Sequence, residues 1–197
     1  QVAAGITRQP VIHNFFFRLH AYDYFRAKLT KQALLISGYQ HGKIRQLKGM
    51  TTVVFGTYNF RTEERETGRV IFDEVRRKFV ALTSEEWVRQ HILHYLLYDK
   101  KYPRSLIAVE RGIELNSLQK RFDVVVFAAD GLPKMIIECK APEEPLNDKV
   151  FEQIARYNLS LRVNYLWVTN GAVNYCCSLK SGIQLLEEVP EYKELAV

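Results

Sequence analysis

The segment that decides the fold is residues 121–142, which read RFDVVVFAADGLPKMIIECKAP. It holds two apolar runs of strand length, residues 121–129 and 134–140, on either side of Asp130-Gly131. An Asp-Gly pair between two apolar runs is typical of a tight turn. The first run is nearly all apolar, as in a strand that is buried on both faces. The segment therefore predicts two paired strands in the middle of a sheet.

Polar side chains interrupt both predicted strands. Because side chains alternate across a strand, Glu138 and Lys140 lie on one face, ~6.6 Å apart along it. Pairing of the two strands can place Asp123 beside Glu138. Two carboxylates ~4 Å apart repel by about 4 kcal/mol at an effective dielectric of about 20. A lysine offsets part of this repulsion. A divalent cation offsets all of it, and the oxygens of both carboxylates are hard ligands that bind the cation.

Such a pair of carboxylates suits hydrolysis of a phosphodiester, in which Mg²⁺ neutralises the phosphate, orients a water and stabilises the leaving oxygen. Lys140 would hold or help to deprotonate the attacking water and face the developing negative charge. The alternative is a buried ion network of Asp123, Glu138 and Lys140 without catalysis. The three residues alone leave both interpretations open.

The surrounding sequence alternates between helix and strand patterns. Thr83, with Glu86 three residues later, predicts a capped helix that ends near Asp99. A second helix is expected from residue 147 or 148 to about residue 161. Further strands are expected at residues 57–61 and 69–73, which form a short hairpin or extended arm, and at 105–115, 165–169, 173–178 and 183–187. We therefore predict an α/β fold with a central mixed β-sheet flanked by helices.

The second predicted helix carries a polar pair, Gln153 and Tyr157, which are four residues apart and so share one helix face. Arg156 is nearby and is a candidate for contact with nucleic acid. An ordinary amphipathic helix with a half-buried tyrosine explains this pattern equally simply, so the pair gains meaning only beside the strand motifs.

The positive charge is concentrated at one end of the chain. The 197 residues carry a formal net charge of +6, but residues 1–49 hold eight Lys/Arg and one acid, which leaves 20 bases and 21 acids elsewhere. We treat 1–49 as a basic extension and 50–197 as the nuclease-like domain. The extension has three interpretations: a basic arm that binds nucleic acid, the end of a preceding domain, or upstream sequence before a true start at Met50.

The composition excludes several classes of protein. Hydrophobic residues make up 47% and charged residues 25% of the chain, as in globular rather than disordered proteins. No apolar run reaches the ~18 residues of a membrane-spanning helix. Three cysteines are too few for a disulfide framework. We therefore expect a cytoplasmic protein without membrane association.

Three motifs together resemble the PD-(D/E)xK nuclease domain, in particular the N-terminal nuclease domain of the restriction subunit of type I restriction enzymes. They are Arg121-Phe122-Asp123, Ile137-Glu138-Cys139-Lys140-Ala141-Pro142 and Gln153-x-x-x-Tyr157. The similarity extends from about residue 57 to the C-terminus and includes Glu85-Glu86-Trp87-Val88-Arg89-Gln90-His91 and Val168-Thr169-Asn170-Gly171.

The resemblance implies a restriction-endonuclease-like core and a Mg²⁺-dependent DNA endonuclease, with Mn²⁺ as a substitute metal. The implied metal ligands are Asp123, Glu138 and the backbone carbonyl of Cys139, with Lys140 as the catalytic lysine. The family pattern also assigns Gln153 and Tyr157 to DNA contact and support of the active site.

An acid from the first helix often joins such a site, and Glu86 is the candidate, although its capping role competes. Glu110 on the first strand is the second candidate. The chain has no Gly-rich phosphate-binding loop of a motor, so the expected partners are DNA and separate motor or restriction-modification subunits. The alternative function is a catalytically silent module that binds nucleic acid or assembles a complex.

Overall fold

The computed structural model describes Thr51 and residues 53–115, 118–146 and 163–195. The predicted extension at 1–49 lies outside the described residues. So does the predicted second helix, with Gln153, Arg156 and Tyr157 on it. Within the described ranges, no helix combines the length and the apolar character needed to cross a membrane.

Two sheets and one long helix make up the described structure. The strands are β1 Thr62–Arg65, β2 Gly68–Asp73, β3 Lys78–Ala81, β4 Ile107–Leu115, β5 Leu118–Phe127, β6 Pro133–Cys139, β7 Tyr165–Thr169, β8 Asn174–Ser178 and β9 Gln184–Leu185. The helices are α1 Ser84–His94, its π-helical continuation Tyr95–Asp99, a 3₁₀ turn at Arg104–Leu106 and α2 Tyr192–Leu195. The predicted α/β class is confirmed.

The larger sheet has six strands in the order β4-β5-β6-β7-β8-β9. The strands β6 and β7 are parallel, and the other neighbours are antiparallel, so the sheet is mixed, as predicted. The predicted pairing of β5 with β6 is present, with Val124 opposite Ile137. Parallel neighbours cannot be joined by a two-residue hairpin turn and need a crossover connection.

Apolar side chains cover both faces of the six-stranded sheet. Val124, Val126 and Ile137 pack in one cluster with residues of α1. Val125 and Ile136, their neighbours in sequence, pack in a second cluster with residues of β7. Successive residues of β5 thus face the two apolar clusters in turn, which explains why β5 is an almost continuous apolar run. An acidic residue within that run is an exception that needs a separate explanation.

The smaller sheet consists of β1, β2 and β3, all antiparallel. The predicted hairpin is present, but the prediction of its first strand at residues 57–61 is wrong, because β1 begins at Thr62. The rings of Tyr58 and Phe60 pack against His94 of α1, with centroids 5.4 and 4.6 Å away. The alternating pattern that suggested a strand at residues 57–61 reflects this packing on the helix. The third strand of the smaller sheet, β3, was not predicted.

The first helix begins as the sequence predicts. Thr83 is its N-cap, and the Thr83 hydroxyl accepts a hydrogen bond from the Glu86 N–H at 3.0 Å. The helical turns end at Asp99, the predicted position, although the last turn is π-helical. The Glu86 side chain bonds to arginines, so only the threonine half of the predicted capping box is observed.

The core prediction concerns Ile92 of α1, whose exposure is 0%. We expect Ile92→Ala to lower the free energy of unfolding by about 2–5 kcal/mol, because it removes three carbons from a closely packed site. Urea denaturation measures this loss. Leu132→Ala is the control, since Leu132 is 58% exposed, and a comparable loss there would contradict this account of the core.

Candidate active site

Asp123 of β5 is held against the backbone of β6. Its Oδ2 accepts a hydrogen bond from the Cys139 N–H at 2.8 Å, and its side chain is 17% exposed. An acidic group inside an apolar strand is costly unless it is compensated. Here the peptide of the neighbouring strand supplies one donor and fixes where the carboxylate points.

Glu138 and Lys140 lie at the end of β6 that Asp123 faces. The Lys140 Nζ donates to Glu138 Oε1 at 3.1 Å, and both side chains are largely buried. Burial and, after it, the Asp123 charge raise the pKa of Glu138. The three residues singled out from the sequence are therefore brought together, as two acids and one base on a single hairpin.

The Cys139 side chain points away from this chemistry into the core, where it is fully buried. Burial raises the pKa of its thiol well above the ordinary value. A buried neutral thiol is neither a nucleophile nor a metal ligand. Only the backbone of Cys139 remains available to the site, and the metal-ligand role that the resemblance implies for its carbonyl stays a prediction.

Arg89 of α1 is a residue of this site that sequence reasoning missed. Its guanidinium is 5% exposed and bonds to Asp123 Oδ1 at 2.9 Å and to Glu85 Oε1 at 2.8 Å. It also pairs with Glu86. Burial lowers the pKa of Arg89, but the Asp123 and Glu86 charges outweigh it and raise the pKa. The spacing of Arg89 three and four residues after two glutamates was the available signal.

Glu86 is buried in an ion network that extends to the smaller sheet. Its Oε1 accepts from Arg76 and, at 2.8 Å, from Gln90 Nε2. Arg76 in turn bonds to the fully buried Asp73 at 2.7 Å. Glu86 thus meets Asp123 through the shared guanidinium of Arg89, and its predicted role as a metal ligand stays a prediction.

Glu110 of β4 also joins the network. It bonds to Arg76 Nη1 and Arg121 Nη2, each at 2.7 Å. Burial raises the pKa of Glu110, but three arginines, Arg121, Arg76 and Arg89, outweigh this effect and lower it. The backbone of Glu110 has φ +50°, a left-handed conformation that costs a residue with a side chain about 1–3 kcal/mol. The backbone strain coincides with the proposed site.

The two sheets, the helix α1 and this acidic hairpin define an α/β domain. Residues 84–192 match the family described as "Type I restriction enzyme R protein N terminus". The match spans more than half of the chain, and the chain therefore belongs to this family. The resemblance drawn from the motifs is confirmed, while the sheet β1–β3 lies outside the matched residues.

Two solved structures are similar to the chain. One is a fragment assigned as an HsdR subunit of a type I restriction enzyme from Vibrio vulnificus YJ016, with 20% identity and a TM-score of 0.45 over 59% of this chain. The other is a protein of Anabaena variabilis ATCC 29413 assigned as a nuclease of DUF820, with 14% identity and a TM-score of 0.40 over 68% of this chain.

The chain spans 25% of the Vibrio fragment and 92% of the Anabaena protein. None of the curated proteins compared with the chain matches it.

Removal of Arg89 is expected to destabilise the fold strongly. Arg89→Met leaves Asp123 without its bonded cation and Glu86 with Arg76 alone, and breaking a buried ion pair from one side costs about 3–5 kcal/mol. Urea denaturation measures the loss. Arg69→Met is the matched control, because Arg69 pairs with Glu64 on the surface, and exposed pairs contribute less than about 1 kcal/mol.

The double variant Arg89→Met/Asp123→Asn should recover part of the lost stability. The asparagine keeps an oxygen for the Cys139 N–H but carries no charge that needs a partner. Equal losses in the single and double variants would show that the unpaired charge of Asp123 does not account for the loss.

Proposed function

We propose that this domain is a metal-dependent endodeoxyribonuclease that hydrolyses phosphodiester bonds in DNA. The observation that carries the proposal is the hairpin of β5 and β6, on which Asp123 is bonded to the backbone at Cys139 while Glu138 and Lys140 lie alongside. Membership of the type I restriction enzyme R family supports it. DNA and separate restriction-modification or motor subunits are the proposed partners.

The donor groups suit Mg²⁺, or Mn²⁺ in its place. The pKa of Glu138 is raised by burial and by the Asp123 charge, and a hard cation bound there would favour the ionised form of Glu138. Within the described ranges, no group of three His, Cys, Asp or Glu side chains is arranged to hold a metal. The proposed ligands are therefore the two carboxylates, the Cys139 carbonyl and water. A bound cation would neutralise the phosphate and activate a water.

Lys140 is proposed as the catalytic lysine, acting as a cation. Burial lowers the pKa of Lys140, but the Glu138 carboxylate outweighs this effect and raises it. The Glu138 carboxylate thus favours the ammonium form of Lys140. This ammonium group would donate hydrogen bonds to the attacking water and to the developing negative charge. Glu138 holds it in place at 3.1 Å.

A second function, a catalytically silent binding or assembly module, is favoured by one observation. Arg89 already supplies Asp123 with a cation at 2.9 Å, and Lys140 does the same for Glu138. Two such pairs reduce the need for a metal. Experiments that separate metal binding from turnover distinguish the two functions.

Cleavage of DNA is the direct test. With Mg²⁺ or Mn²⁺, the purified chain should cut plasmid DNA, and Asp123→Asn and Lys140→Met should lower the rate by at least about a hundredfold, as losses of electrostatic catalysis do. Gel analysis of the plasmid over time measures the rate. Thermal melting checks that both variants remain folded.

Glu143→Gln is the matched control for cleavage. Glu143 is exposed in the loop that follows β6, so its loss should leave the rate within about twofold of the starting protein, as expected for a surface change. If all of these proteins cut DNA equally, the activity belongs to a contaminant and the proposal fails.

Metal binding is tested through stability and its pH dependence. Mn²⁺ should raise the melting temperature, because a ligand bound only by the folded state stabilises that state. The increase should disappear as the pH falls through the raised pKa of Glu138, since a protonated carboxyl no longer binds the cation. Lys140 lowers that pKa, so in Lys140→Met the loss should begin at a higher pH.

Differential scanning fluorimetry across a pH series measures these shifts. Asp123→Asn/Glu138→Gln serves as the control and should show no response to Mn²⁺. A response of the double variant equal to that of the starting protein would place the metal elsewhere. No response in either protein, together with intact DNA binding, would favour the silent module.

A further inference from the structure

A cavity of about 310 Å³ lies at the smaller sheet and carries excess positive charge. Arg61, Arg77 and Arg104 are among the residues that line it, together with Phe72. Glu74 is the acid in this lining. Nothing in the proposed cleavage chemistry uses this cavity, which is therefore a second candidate site.

The arginines of the described structure divide into two groups. Those outside the cavity whose side chains are described form ion pairs with carboxylates; they are Arg65, Arg69, Arg76, Arg89 and Arg121. Arg61, Arg77 and Arg104 form no ion pair with any described residue, and all three line the cavity. Unneutralised charge is thus gathered at one place, which is the arrangement expected where an anionic ligand supplies the missing partner.

Glu74, the acid in the cavity, already has a hydrogen-bond partner in the π-helical continuation of α1. Its Oε2 accepts from the Tyr98 hydroxyl at 2.5 Å, and its Oε1 lies 3.5 Å from His94 Nε2. The His94 Nδ1 donates to the Gln90 carbonyl at 2.9 Å. Burial lowers the pKa of His94, so its ring is neutral at neutral pH. One carboxylate therefore stands against three guanidinium groups.

Two of the three arginines are held in place by the fold. The Arg61 guanidinium lies over the rings of Phe72 and Phe79, 4.3 and 4.6 Å from their centroids. Arg77 has φ +54°, a conformation that a non-glycine residue keeps only where the surrounding structure imposes it. Its neighbour Arg76 is bonded to Asp73 through both its backbone N–H and its side chain, which fixes the turn that presents Arg77.

We propose that this cavity binds a phosphate group. Guanidinium groups bind phosphate oxygens through paired, charge-assisted hydrogen bonds, and the volume lies at the lower end of the range of ligand pockets. The phosphate comes either from a nucleic-acid backbone or from a free nucleotide. If the phosphate belongs to a nucleic-acid backbone, the inference rests on the proposed function, because the cavity would bind the substrate of the proposed nuclease. If it belongs to a free nucleotide, the inference is independent of that function.

The test compares two pairs of arginines on the same part of the chain. Arg77→Asn/Arg104→Gln removes two charges from the cavity, and asparagine tolerates the left-handed backbone at position 77. Arg65→Gln/Arg69→Gln, the matched control, removes two charges that are exposed and ion-paired. The probes are a short fluorescein-labelled DNA duplex, dAMP and inorganic phosphate, all in EDTA, so that binding is measured without any metal or cleavage.

For the labelled duplex, fluorescence anisotropy should show about tenfold weaker binding for Arg77→Asn/Arg104→Gln, and a salt dependence lower by about two counterions. The control pair should change the affinity by less than about twofold. A second outcome is that both pairs of variants bind the duplex equally, but dAMP or phosphate stabilises the control variant and no longer stabilises Arg77→Asn/Arg104→Gln. In that case the ligand is a free phosphate compound. Equal effects of the two pairs on every probe, or no effect on any, would overturn the proposal.

Folding of the variants is checked by thermal melting. If Arg77→Asn/Arg104→Gln melts at a lower temperature than the control pair, Arg104→Gln alone carries the test, since Arg104 is exposed and has an ordinary backbone conformation. Because the assay contains no metal, cleavage-deficient protein remains a valid sample. A failed cleavage assay and a failed binding assay are therefore separate results.

Discussion

The arrangement of the site depends on the guanidinium of Arg89, which lies among carboxylates from two separate parts of the chain. It bonds to Glu85 and Glu86 on its own helix and to Asp123 on the sheet. Without it, α1 could not bring its acidic first turn against an acidic strand, because the like charges would repel in a poorly solvated space. The same cation that allows the helix to pack therefore also sets the charge next to the proposed metal site, and stability and chemistry are coupled through one residue.

A second arginine extends this coupling to the smaller sheet. Arg76 bonds to Asp73, Glu86 and Glu110, which come from the hairpin, the helix and the first strand of the larger sheet. Networks of this kind are sensitive to the loss of any member, since each remaining charge is left buried. The hairpin of β2 and β3 is thus joined to the core through charge as well as through apolar contacts, although the family match begins only at residue 84.

The sequence was informative wherever a local pattern decides the structure. The apolar run of β5, the Asp-Gly turn and the threonine cap each act within a few residues, and each is present. The strand β5 ends at Phe127 and not at residue 129, so the turn spans residues 128–132. The strand expected at residues 57–61 was wrong because aromatic side chains pack on a distant helix there. The cluster around Arg89 could not be derived from the sequence, since it needs contacts 34 residues apart whose geometry only the folded chain supplies. The roles of Gln153, Arg156 and Tyr157 fall outside the described residues and stay predictions.

The hydrogen bond from the backbone of residue 139 to Asp123 determines which substitutions are tolerated at position 139, between Glu138 and Lys140. The side chain at this position faces the core and is completely enclosed. The site therefore uses the backbone N–H, which every amino acid except proline possesses. The demand at this position falls on size and apolarity rather than on sulfur. Alanine or valine should serve there almost as well as cysteine, whereas proline, which has no N–H, would release the acid from its anchor.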